Sequence, residues 1–156
     1  MDDNRTGDWE GPLFVLADDD QAAADRIASL LYPGLFFIVS VTNPRHVLSY
    51  AKRLKPRAIF LADPLEFPKG GAAALLHRLV EEVGCPVVIL SELWTPEGAQ
   101  RWKQMGAADC LPHPTRFDQR LEVVRARMQE IALTATPRHQ ASTNGLGNGS
   151  NAQAHW

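Results

Sequence analysis

Five short apolar runs, "PLFVLA", "LFFIVSV", "RAIFLA", "CPVVIL" and "DCL", recur along the chain, each rich in β-branched or aromatic residues and each ending at a polar or turn residue. That pattern predicts five strands. Between them lie "DQAAADRIASLLY", "PRHVLSYAKRL", "GGAAALLHRLVEEV" and "PEGAQRWKQMG", and "TRFDQRLEVVRARMQEIAL" closes the series. Each of these places an apolar stripe on one helical face, as in Phe117, Leu121, Val124, Met128 and Ile131. Strict alternation of strand and helix with short connections predicts an α/β fold: a doubly wound, five-stranded parallel sheet covered on both faces by five helices, with right-handed crossovers.

The pattern stops at both ends. From Thr134 the chain reads "TATPRHQASTNGLGNGSNAQAHW", too poor in large apolar residues to offset its ordering entropy, and residues 1–11 are polar and acidic. The expected organisation is one domain over 12–133, between a disordered N-terminal segment, 1–11, and a disordered tail, 134–156. A length of 156 residues is in keeping with a single core. Lys and Arg total 16 against 18 for Asp and Glu, so no net positive field favours a nucleic-acid backbone, and Arg116, Arg120, Arg125 and Arg127 read as a solvated helix face. No apolar run approaches the ~18 residues of a membrane span, and the opening "MDDNRTGDWEG" lacks the basic-then-apolar order of a secretory signal, so a cytoplasmic location is expected. Cys85 and Cys110 lack metal-ligand spacing and read as reduced core thiols.

In an open parallel sheet, ligands collect at the carboxyl ends of the strands. The first strand ends in Asp18, Asp19 and Asp20, the third in Asp63, the fourth in Ser91, and the fifth runs into His113 and Pro114. Two carboxylates about 4 Å apart repel by roughly 1 kcal/mol in water and roughly 4 kcal/mol near a protein surface, so the acidic triplet needs a counterweight. Asp20 has a plain role as N-cap of the first helix, its oxygen accepting an orphan N–H.

These residues carry a resemblance. From about Pro12 to Ile131 the chain resembles the receiver domain of two-component response regulators: "VLADDDQ" resembles the acid-pair motif, "IFLAD" the acceptor strand, "PVVILSE" the strand that ends in Thr or Ser, and "GAADCLPHP" the closing Lys-Pro motif, with Gly71 where the family's glycine opens the next helix. The resemblance implies a flavodoxin-like sheet of order 2-1-3-4-5 and a single-domain, non-enzymatic regulator in phosphorelay signalling. It implies a phosphoryl group accepted on Asp63 from a histidine kinase or phosphotransfer protein. It also implies Mg²⁺ held by Asp18, Asp19, Asp63 and the backbone carbonyl of Leu65, a hard cation suited to few carboxylates and several waters. Ser91, His113 and Cys110 take the phosphoryl-contacting and switch positions, and Pro114 takes the position of the family's cis-proline. Output then passes to a downstream protein partner or through a homodimer, with Trp94 and Trp102 beside the fourth helix on the surface that receivers use for such contacts. Neither a nucleic acid nor a membrane is an expected partner.

Departures from the pattern support two other readings. His113 replaces lysine, and an imidazole is shorter than an ammonium stem and, with a reference pKa of ~6.5, mostly neutral at neutral pH; its plainer reading is a partly exposed turn histidine. Cys110 replaces an aromatic ring whose rotamer reports phosphorylation, Pro64 follows the acceptor directly, and aligning on Pro56 would put Ala62 at the acceptor site. The spacing to Gly71 favours Asp63. These departures point to a phosphorylation-independent pseudo-receiver, a binding or dimerisation module. The Asp18-x-Asp20 spacing also resembles the nucleophile motif of haloacid-dehalogenase-type phosphatases, although Ala22 stands where that motif has Thr or Val.

Overall fold

The computed structural model describes residues 12–31, 37–65, 69–114 and 118–134. Strand β1 (Leu13–Ala17) leads into α1 (Gln21–Leu31), and β2 (Phe37–Val41) into a 3₁₀ turn (Pro44–His46) and α2 (Val47–Leu54). Strand β3 (Ala58–Asp63) precedes α3 (Gly71–Glu82), β4 (Val87–Ser91) precedes α4 (Pro96–Gln104), and β5 (Asp109–Pro112) precedes α5 (Asp118–Thr134). All neighbouring strands are parallel, in the order β2-β1-β3-β4-β5. This is the doubly wound, five-strand, five-helix sheet expected from the sequence. Helix α5 extends one residue past the expected domain end at 133. The readings of 1–11 and of the tail from 135 as disordered, and of Phe117 in the α5 stripe and Arg116 on its polar face, fall outside the described residues.

The central strands are apolar on both faces because helices cover both. Alternate residues divide between two cores. Leu13, Val15, Ile59, Leu61, Val87 and Ile89 pack with Val47, Ala51, Leu75, Leu76 and Leu79 of α2 and α3. Phe14, Leu16, Phe60, Val88 and Leu90 pack with Ala24 and Ile27 of α1 and with Leu121, Val124, Met128 and Ile131 of α5. In this second layer the rings of Phe14 and Phe60 meet edge to face, with centroids 5.8 Å apart. Helix α4 starts where the Thr95 hydroxyl accepts the Gly98 N–H (2.9 Å) with Pro96 next in line. Trp102 of this helix packs against the first core, while Trp94 is 36% exposed. No helix among the described residues is long and apolar enough to cross a membrane.

Candidate phosphoryl site

The strand register fixes which residues share the carboxyl edge of the sheet. Ala17 pairs with Leu61, and Asp63 pairs with Ser91. Ala62 turns into the first core at 2% exposure, whereas Asp63, the last residue of β3, is only partly buried. Leu65 is buried, and two left-handed glycines, Gly70 (φ +94°) and Gly71 (φ +66°), stand at the start of α3. A Cβ on Gly71 would stand 3.1 Å from the Leu65 carbonyl oxygen, so the close approach of the helix start to that carbonyl requires a glycine there.

Asp20 caps α1 as expected, its Oδ1 accepting the N–H groups of Ala22 (3.1 Å) and Ala23 (3.2 Å). Asp18 is a different kind of residue from its two neighbours: it is 4% exposed, while Asp19 and Asp20 are exposed. Its Oδ1 accepts the Asp20 N–H (3.0 Å), and its Oδ2 lies 2.7 Å from Nε2 of His113. An ionised carboxylate only accepts, so Nε2 carries the proton in this bond. His113 is 1% exposed, which corrects the reading of it as a partly exposed turn histidine. Its backbone is fixed from two more directions: its N–H donates to the Ser91 carbonyl (2.8 Å), and its own carbonyl accepts from Arg120 of α5 (3.2 Å). Because β1 and β5 are separated by β3 and β4, the Asp18–His113 bond passes over the ends of the two central strands, a reach of roughly three inter-strand spacings of ~4.8 Å.

Around Asp63 the field is negative. Burial first, and then the charge of Glu92, push its carboxyl above the ordinary carboxylate range. The Glu92 N–H donates to the Asp63 backbone carbonyl (3.1 Å), which holds Glu92 at the rim. Cys110 is buried, and burial followed by the charges of Asp109 and Asp63 pushes its thiol up to about 11. The Cys110 carbonyl accepts the Trp94 indole N–H (2.8 Å), so an aromatic ring reaches β5 from the β4–α4 connection.

Two expectations need correction. The cis peptide among the described residues is Asp63–Pro64 and not His113–Pro114. Secondly, Asp18, Asp19 and Asp63 do not converge as a cage: among the described residues no group of three acidic, histidine or cysteine side chains is placed to hold a metal. Both oxygens of Asp18 already face hydrogen-bond partners, the Asp20 N–H and His113.

Glu92, Trp94 and Arg120 were not assigned to the site from sequence. Glu92 had a legible signal, being the residue directly after a strand-end serine; the other two depend on tertiary placement. The reading of Arg120, Arg125 and Arg127 as a solvated face also changes, since all three are half-buried and Arg127 lies 3.3 Å from Asp109 and 2.7 Å from Glu130. A cleft of about 360 Å³ at the opposite end of the sheet, lined by Lys52, Lys55, Glu82 and Cys85, is unrelated to these residues, and its Glu82 is already bonded to Lys52 and Arg78.

Comparison with known proteins separates sequence from fold. No family model matches the sequence, and no curated protein matches it. Solved structures do. The BeF₃-activated N-terminal receiver domain of Klebsiella pneumoniae RstA superposes with a TM-score of 0.66 at 22% identity, covering 77% of this chain and 97% of that one. The Vibrio cholerae chemotaxis protein CheY4 gives 0.65 at 16% identity, covering 78% and 98%. The receiver domain of the Francisella response regulator 1452 gives 0.62 at 21% identity, covering 76% and 99%. With the strand order, the helix layers and these superpositions in agreement, the chain has the fold of response-regulator receiver domains.

Proposed function

We propose that the protein is a receiver module in two-component signalling, taking a phosphoryl group on Asp63 and passing the signal on through protein contacts. The observation that carries this reading is the pairing of Asp63 with Ser91 at the ends of β3 and β4: a nucleophilic carboxylate beside a hydroxyl, in the crevice where an open parallel sheet takes its ligands. In the transfer, an Asp63 oxygen bonds to phosphorus as the bond to the donor's imidazole nitrogen breaks, and that nitrogen departs with the electron pair. Ser91 offers a hydroxyl to a phosphoryl oxygen. The crowding of Asp63 by Glu92 favours arrival of a cation, and Asp19, Asp63 and the Leu65 carbonyl would hold Mg²⁺, which when bound neutralises charge on the phosphoryl oxygens. The donor is a histidine kinase or phosphotransfer protein, and the output a protein partner.

One observation favours a second reading, a pseudo-receiver that signals by binding alone: His113, in the position of the family's lysine, is buried against Asp18. Incubation with acetyl phosphate and Mg²⁺, followed by intact-mass measurement, separates the two. A single phosphoryl adduct that disappears in Asp63→Asn supports the first; an unmodified wild type refutes it and leaves the second.

A further inference from the structure

The carboxylate read as the acceptor has a second carboxylate beside it. Strand β3 ends with Asp63 opposite Ser91, and the residue after that serine is Glu92, whose backbone N–H donates to the Asp63 carbonyl (3.1 Å). The connection that carries Glu92 is pinned on its far side as well: the Trp94 indole N–H donates to the Cys110 carbonyl (2.8 Å), and the Thr95 hydroxyl accepts the Gly98 N–H (2.9 Å). Glu92 is thereby held at the rim of the crevice, exposed. Its charge reaches Asp63, adding to burial in holding that carboxyl above its ordinary range. Among the described residues no cation is ion-paired with either carboxylate. The His113 imidazole, which could have supplied one, lies 2.7 Å from Asp18 instead. A phosphodonor brings its own charge into this field. A small acyl phosphate is a dianion at neutral pH and is repelled by both carboxylates, whereas a phosphohistidine on a protein can arrive flanked by Lys or Arg, to which Glu92 is complementary.

We propose that Glu92 is a specificity-determining residue for phosphotransfer to Asp63: a charge filter that disfavours small dianionic donors and favours a phosphohistidine set among cationic side chains. The inference rests on the reading of Asp63 as phosphoryl acceptor. Glu92 takes no part in the bond changes. With acetyl phosphate, an Asp63 oxygen bonds to phosphorus as the P–O bond breaks and acetate leaves with the electron pair. With phosphoramidate, the P–N bond breaks and the nitrogen, already protonated, leaves as ammonia.

The test uses the full chain and two small donors of different charge, dianionic acetyl phosphate and monoanionic phosphoramidate. Adduct formation is followed by intact mass at pH 7, with Mg²⁺ raised until the rate no longer responds to it, for the wild type, Glu92→Gln, Glu92→Asp and Asp63→Asn. Glu92→Gln is expected to speed modification by acetyl phosphate about threefold or more, since loss of a rim charge changes the encounter rate, and modification by phosphoramidate by clearly less. The gain is expected to fade at about 1 M salt, where the Debye length is about 3 Å. Glu92→Asp, which restores the charge, is expected to lose most of the gain. Unchanged rates in Glu92→Gln, or a gain equal for both donors that survives high salt, would overturn the inference while leaving Asp63 as the acceptor, so long as the wild-type adduct is missing from Asp63→Asn. No adduct in any of the proteins, or one that persists in Asp63→Asn, would overturn the acceptor reading and the inference with it.

Discussion

Removing the imidazole of His113 is expected to destabilise the protein by about 3 kcal/mol. The figure follows from the geometry of the pair. Removing the partner of a buried charged group typically costs about 3–5 kcal/mol, because the survivor is left uncompensated. Asp18 keeps the Asp20 N–H at 3.0 Å, which places His113→Ala at the lower end of that range. Against a total stability of about 5–15 kcal/mol the loss is large. At about 2–4 °C per kcal/mol for a chain of this size, the melting temperature should fall by about 6–12 °C. Urea denaturation followed by far-ultraviolet circular dichroism at pH 7, on wild type, His113→Ala, Asp18→Asn and the double variant, gives the cost and the coupling. The coupling is expected at about 1–3 kcal/mol, as for contacting residues. A cost for His113→Ala below about 1 kcal/mol, with coupling under about 0.5 kcal/mol, would mean that the contact contributes little.

Three further outcomes are expected. A carboxyl whose folded pKa is raised favours the fold only below its unfolded value, here 3.8, and that contribution is lost as pH rises through the folded value; Asp63→Asn should therefore melt higher than wild type at pH 7, with the gap closing toward acid pH in a thermal-melt series. Both thiols are pushed from 9.0 up to about 11, with burial the leading cause for each, so about a hundredfold less thiolate is present at neutral pH; iodoacetamide labelling should be slow in the native protein and fast in denaturant, read by mass. Thr95→Ala removes the cap of α4 and should lower stability by about 1 kcal/mol in a urea titration.

The strands were legible because a helix-covered parallel sheet demands unbroken apolar runs, and "FVLA" or "VVIL" has little alternative use. Their ends were legible for a related reason: Asp18, Asp63, Ser91 and His113 each interrupt such a run. What the sequence could not supply was the pairing among them. Asp18 and His113 lie 95 positions apart, and nothing local to either distinguishes a buried partner from a metal ligand or a surface turn. Periodicity placed Arg127 on a polar helix face but could not reveal that Asp109 waits beside it. Asp20 was foreseeable because a cap depends only on the residues within its own turn. The isomer at Pro64 had no comparable local signature.

The strand order also bears on how the chain acquires its shape as it leaves the ribosome. Strand β1 emerges first, yet it lies between β2 and β3, so both of its edges are satisfied only after more than a third of the polypeptide has been made. The imidazole that lies against Asp18 follows β5, the last strand synthesised. Contacts so distant along the chain form late, since loop-closure entropy opposes them until nearer contacts are in place. A nascent chain halted before residue 113 therefore has Asp18 without its imidazole partner, and closure of that bond marks the moment when the sheet is whole.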